Sequence, residues 1–139
     1  MFIGKYNYIL DKKNRLFIPA NFRQQNTSYI LTGGIEQCLL LYPISIWEKL
    51  TDKLLSLPHS RQDTRKFLRI ILSRAGEVKL DSQGRILIPL YLIEYACLKK
   101  ELIILGIIDH LEIWDKEIWD KYEEENHLLI REISEKLEI

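Results

Sequence analysis

The chain has 139 residues, 47% of them hydrophobic and 29% charged, with 20 Lys+Arg against 20 Asp+Glu. That is an ordinary globular composition, long enough for a real core, and zero net charge argues against a generic basic nucleic-acid binder. The charge is unevenly placed: residues 1–74 carry 12 Lys+Arg against 5 Asp+Glu, hence +7, while residues 75–139 carry 8 against 15, hence −7. Such asymmetry suggests nucleic-acid contact on one side, or simply two solvated surfaces.

The opening MFIGKYNYIL holds Lys5, is soon followed by Asp11, and has no long apolar run. It does not read as a signal peptide, and no window reaches the length of a membrane span, so a cytoplasmic protein is expected. KYNYIL (5–10) alternates as a strand, DKKNR (11–15) turns it, and LFIP (16–19) returns as a β-prone run closed by Pro19. Residues 20–26 read as one short helical turn, 28–34 as a strand ended by a Gly pair, and 38–43 as another strand. A helix is predicted over 45–56. Ser45 and Glu48 would form its capping box, Ile46, Trp47, Leu50, Leu54 and Leu57 would point inward, and Pro58 would stop it.

Residues 59–76 read as a connecting helix. Phe67, Ile70, Ile71 and Arg74 follow helical spacing, Leu68 and Leu72 broaden the apolar face, and Gly76 suits the stop. Arg61, Arg65 and Arg69 form a basic ridge on it, read as a solvated face or subunit contact before a DNA contact. Strands are then expected near 77–81 and 85–88, a short helix near 91–97, and strands at 101–106 and 111–114. A final helix over 115–137 would carry Ile118, Trp119, Tyr122, Leu129, Ile133 and Leu137 on one stripe, with Glu123, Glu124 and Glu125 outside. That helix would pack on its own domain or on a neighbouring subunit.

One stretch occurs twice. DKKNRLFIP (11–19) returns as DSQGRILIP (81–89), so that Asp11, Arg15, Ile18 and Pro19 recur as Asp81, Arg85, Ile88 and Pro89. Asn14 and Gly84 occupy the same place in the turn, and both residue types tolerate positive φ. Further on, GIEQCLLLYPISIW (34–47) aligns with GIIDHLEIWDKEIW (106–119) at an offset of seventy-two. A repeat kept in register through turn, strand and Trp indicates internal duplication, and two copies suit a pseudo-twofold domain better than a solenoid.

These motifs, with RKFLRIILSRA before the second copy, resemble the MraZ family of bacterial regulators, which is built from tandem AbrB-like half-domains. Asn14 departs from the Gly usual in the first repeat. The resemblance covers almost the whole chain. It implies an α+β fold in which two pseudo-twofold AbrB-like, swapped-hairpin, double-psi-like half-domains form one barrel-like core with peripheral helices. Ile18, Ile88, Leu41, Ile113, Trp47 and Trp119 would contribute to that core. The corresponding division is 1–58, 59–76 and 77–139. Implied too are a ring-like homo-oligomer, association with the nucleoid, and binding to repeated short promoter sites upstream of a division and cell-wall gene cluster.

The chemistry of the turns is read separately. Asp11 and Asp81 would cap backbone N–H groups or pair with the nearby Arg, as structural turn residues together with Asn14 and Gly84. A guanidinium at the base of such a hairpin can reach a phosphate or a guanine edge. Lys12, Lys13, Arg15, Arg23 and Arg85 are therefore the candidate DNA-binding residues. Lys12 and Lys13 face Ser82 and Gln83 in the other copy, so the first turn should contact DNA more strongly and Arg85 could be mainly structural. Asp11 and Asp81 could alternatively be paired catalytic carboxylates, but no phosphate-binding Gly loop and no nucleophile accompany them, so no enzyme is expected. His59, His110 and His127 are scattered, so no metal or cofactor is expected. Cys38 and Cys97 lie among apolar residues and are read as buried free thiols, with a disulfide as the alternative. The other functional readings are an AbrB-type antitoxin and a non-catalytic assembly protein.

Overall fold

The computed structural model describes residues 1–23 and 28–139. Alternation sets the strands. In β4 (Leu39–Pro43), Leu39, Leu41 and Pro43 are buried on one face while Leu40 and Tyr42 turn to the other. Faces alternate likewise along β3 (Ser28–Gly33) and β8 (His110–Asp115), whereas β7 (Glu101–Ile108) is buried on both faces, Leu102 and Ile104 in one cluster and Ile103 and Leu105 in another. With β1 (Phe2–Ile9) and β5 (Gly76–Lys79) they make a six-stranded antiparallel sheet in the order β1-β7-β8-β4-β3-β5. A separate two-stranded ribbon joins β2 (Arg15–Phe17) to β6 (Arg85–Leu87).

The order is a palindrome of the two repeats. Exchanging β1 with β5, β3 with β7 and β4 with β8 reverses it. Each repeat's first strand pairs with a later strand of the other repeat: β1 with β7, and β5 with β3. Two pairs lie on the pseudo-twofold axis because each partner is the other's repeat equivalent, namely Leu16↔Ile86 in the ribbon and Leu40↔Glu112 at the β4–β8 seam. Neither half completes its strand pairing without the other, so the duplication is built into one folding unit.

One face of the sheet meets the ribbon, α1 (Ala20–Arg23) and α4 (Leu90–Tyr95). There Leu16, Ile18, Ile86, Ile88, Phe22 and Leu92 close over Leu31, Leu39, Leu41, Ile104 and Ile113. Full burial of each such side chain stabilises by about 1.5–3 kcal/mol relative to exposure. The opposite face carries a smaller cluster of Cys38, Ile103, Leu105 and Trp114 under α5 (Lys116–Asn126), and α2 (Ile44–Leu55) packs over β3 and β4 beside it. The buried Thr32 hydroxyl donates to the Ile71 carbonyl and so ties β3 to α3 (Gln62–Ser73).

Several expectations are corrected. The stretch 11–19 is not a local hairpin, because β1 and β2 pair with β7 and β6 and not with each other. Strand pairing among the described residues leaves an open sheet with a ribbon, not a closed barrel. Ser45 caps nothing: β4 runs straight into α2, Pro43 stands at the N-cap, and Ser45 falls inside the first turn. Gly76 does not stop the connecting helix but begins β5. Trp47 and Trp119 are half-buried and lie on the helix side, away from Ile18 and Ile88. Cys97 is exposed at φ 52, and both cysteines are free. Residues 24–26 of the expected 20–26 turn lie outside the described residues.

The expected 115–137 helix is broken. After α5 a 3-10 turn (His127–Leu129) intervenes before α6 (Ile130–Leu137). Asn126 Nδ2 donates to the Tyr122 carbonyl at 2.7 Å, and the His127 ring meets the Glu123 carbonyl, so side chains compete for helix acceptors just before the break. From the turn onward Leu129, Ile133 and Leu137 remain exposed rather than packed on their own domain.

Candidate nucleic-acid interface

The two copied turns have the same backbone wiring. In the first, the Asp11 N–H donates to the Arg15 carbonyl and the Asn14 N–H to the Asp11 carbonyl; in the second, Asp81, Arg85 and Gly84 repeat both bonds. Asp11 Oδ1 accepts from the backbone N–H groups of Lys13 (2.9 Å) and Arg15 (2.8 Å), and Oδ2 accepts from Arg15 Nε at 2.8 Å. Asp81 accepts likewise from the Gln83 N–H (2.9 Å), the Arg85 N–H (2.9 Å) and Arg85 Nε (2.8 Å). Both carboxyls are held below the ordinary 3.8, first by the backbone N–H of the Arg and then by its side chain. Each carboxylate is thus engaged by its own turn.

The ribbon then binds the turns to each other. The Ile18 N–H donates to the Gly84 carbonyl (3.0 Å) and the Ile88 N–H to the Asn14 carbonyl (2.9 Å). Asn14 (φ 63) and Gly84 (φ 84) both take the left-handed conformation expected of them. The ribbon is antiparallel, so the turns sit at its opposite ends. Its inward face is Leu16 and Ile86, both fully buried; its outward face is Arg15 opposite Leu87 and Phe17 opposite Arg85.

The two arginines differ in what they lie against. Arg85 reaches over the Phe17 ring, 5.6 Å from the centroid, and its side chain is 16% exposed. Arg15 faces the aliphatic Leu87 and is 32% exposed. In both, the Asp takes Nε, and the terminal amino groups make no hydrogen bond among the described residues. A fixed guanidinium with free outer nitrogens suits a phosphate or a base edge.

Lys12 and Lys13 are exposed on the first turn, where the second has Ser82 and Gln83. Arg23 is engaged within the protein. Its Nε donates to the Ile18 carbonyl at 2.9 Å, and its guanidinium packs on the second turn, where a Cβ on Gly84 would come within 2.3 Å of Nη1. It therefore joins the first repeat's α1 to the second repeat's loop. Of the ridge residues, Arg65 is committed to the carbonyls of His59 and Ser60, closing the α2–α3 connection. Phe17 and Leu87 went unnamed from sequence, although alternation through 15–18 and 85–88 would have put both on the outward face.

The family model described as "MraZ protein, putative antitoxin-like" matches residues 1–70 and again 71–137. Among curated proteins, the transcriptional regulator MraZ of Clostridium acetobutylicum is 48% identical over 125 residues, covering 89% of this chain and 88% of that protein. The protein of the same name from Pelotomaculum thermopropionicum is 46% identical over 138 residues, covering 99% and 95%. That from Clostridium tetani is 42% identical over 138 residues, covering 99% and 96%.

Proposed function

The chain belongs to the MraZ family, and on that premise we propose that it is a sequence-specific DNA-binding transcriptional regulator. Its sites would be short repeated elements of a promoter upstream of a division and cell-wall gene cluster, bound by a ring-like homo-oligomer in the nucleoid. The observation that carries the reading is the first turn. It displays Lys12 and Lys13 on a backbone fixed by Asp11, with the outer nitrogens of Arg15 free beside them. Two-stranded ribbons are among the elements that enter a DNA groove. Lys12 and Lys13 would meet phosphates, Arg15 a phosphate or base edge, and Arg85 and Arg23 would add weaker contacts from more committed positions. Several linked copies would raise affinity by avidity, which fits a neutral protomer.

The same reading takes the fold as two swapped-hairpin, double-psi-like half-domains, 1–58 and 77–139, joined by 59–76. The palindromic strand order and the exchanged Ile18–Gly84 and Ile88–Asn14 bonds support it. The test is a titration of labelled DNA from upstream of the chain's own gene beside a shuffled fragment of equal composition. Preference for the native fragment is expected. Equal binding to both, or binding to neither, would overturn the proposal.

A further inference from the structure

The outward face of the ribbon carries more apolar surface than the fold needs. Leu16 and Ile86 close the core from its inward face and are fully buried. Outward positions on a half-solvated strand pair are ordinarily polar, yet Phe17 is 42% and Leu87 60% exposed. The axis through the Leu16–Ile86 pair exchanges Phe17 with Leu87, just as it exchanges Arg15 with Arg85. The face therefore holds two arginines on one diagonal and two apolar side chains on the other.

Its two ends are not alike. At the second turn the apolar residue is engaged, because Arg85 reaches over the Phe17 ring. At the first turn it is open. Leu87 ends β6 directly opposite Arg15, the residue that starts β2. The next N–H, that of Ile88, donates to the Asn14 carbonyl at 2.9 Å. The second repeat thus fixes an exposed aliphatic side chain against the turn that displays Lys12 and Lys13. Cross-strand neighbours stand about 5 Å apart, little more than the ~3.4 Å between successive base pairs. When Arg15 meets DNA, Leu87 therefore falls on the same or the next base pair.

We propose that Leu87 is a specificity-determining residue that packs on the 5-methyl group of a thymine in the major groove. This rests on the DNA-binding reading above. Two lysines and a guanidinium draw this end of the ribbon to a polyanion, and Leu87 has no atom with which to take a phosphate or a polar base edge. The thymine methyl is the apolar feature that a base pair presents in the major groove, and the minor groove lacks it. A two-stranded ribbon is of a size to enter the major groove.

Deoxyuridine differs from thymidine only by that methyl. The thymidines of the native upstream fragment are replaced by deoxyuridine one at a time, and each fragment is titrated with wild type, Leu87→Ala and Leu87→Met. Circular dichroism checks the fold of the variants. Wild type should lose about fourfold in affinity at one thymine of an element for each copy engaged, the worth of one buried methyl. Leu87→Ala should bind the thymidine and deoxyuridine fragments equally, and Leu87→Met, which keeps an apolar side chain of similar reach, should retain the preference. The wild-type arm decides without any variant. If it prefers the native fragment to the shuffled one but no thymine is sensitive, methyl reading is overturned and the DNA-binding regulator stands. If Leu87→Ala binds both fragments more weakly and keeps the wild-type ratio between them, Leu87 has a structural role and the assignment is wrong. Equal binding of wild type to native and shuffled fragments would overturn both readings.

Discussion

Gly84→Ala tests how the two repeats are locked together. Gly84 holds φ 84, and an added Cβ would stand 2.3 Å from Nη1, 2.5 Å from Cζ and 2.8 Å from Nε of Arg23. A non-glycine residue in the left-handed region loses about 1–2 kcal/mol. Arg23 must also move, and its Nε then leaves the Ile18 carbonyl, which lies 2.9 Å away on a fully buried residue. Stranding such a carbonyl costs about 1–3 kcal/mol, so the total is roughly 2–5 kcal/mol. For a chain of this length that is a fall in Tm of roughly 7–17 °C. The assay is thermal unfolding by circular dichroism at fixed protomer concentration, with Arg23→Ala and the double variant completing a cycle. The double variant should be less destabilised than the sum of the singles, because without the guanidinium only the backbone strain remains. Asn14→Ala is the control. Residue 93, which corresponds to Arg23 in the other repeat, is Ile, so that change should cost only the strain of about 1–2 kcal/mol. Gly84→Ala within about 2 °C of wild type, or a strictly additive cycle, would refute the clamp.

Arg15→Ala should abolish specific DNA binding while circular dichroism and oligomer size stay as in wild type; wild-type affinity in the folded variant would remove Arg15 from the interface. The carboxyls of Asp11 and Asp81 are lowered in the folded state, so their stabilisation is complete above the ordinary 3.8 and is lost as pH falls through their depressed values. Asp81→Asn should therefore lower Tm at neutral pH and flatten its fall below about pH 4; parallel acid limbs in variant and wild type would contradict this. Log affinity for DNA should fall linearly with log salt at about −0.9 per phosphate contact, with more contacts than one turn's cations can supply; a slope near zero would rule out phosphate-led binding.

The strands and the duplication were legible because period-two burial and the repeated Asp-x-x-x-Arg turn are written locally. Which strand each one pairs with was not. LFIP after DKKNR looks like the return arm of a hairpin, and nothing nearby in sequence says that Leu16 meets Ile86 across the axis. The bonds from each Asp to its own turn were legible, since an Asp can reach the N–H groups of the next residues in any such turn. The packing of Arg23 on the second turn was not legible, because it depends on Gly84, sixty-one residues away, and a long-range contact leaves no local mark. The break at 127–129 was missed because the apolar stripe continues through it. The side-chain bonds of Asn126 and His127 accompany the break. The greater exposure of Arg15 than of Arg85 follows from Leu87 against Phe17 across the ribbon, again a register fact.

The claim that the first turn is the main reader of DNA is tested most directly by exchanging loop chemistry. The turns share their backbone bonds, so Lys12→Ser with Lys13→Gln, and Ser82→Lys with Gln83→Lys, should both fold. Binding isotherms to the native upstream fragment at two salt concentrations compare them. The first graft should weaken binding and reduce the salt slope by about one for each lysine that meets a phosphate, and the reciprocal graft should leave both near wild type. If the second-turn graft strengthens binding as much as the first-turn graft weakens it, the two turns are equivalent readers and the asymmetric account is wrong.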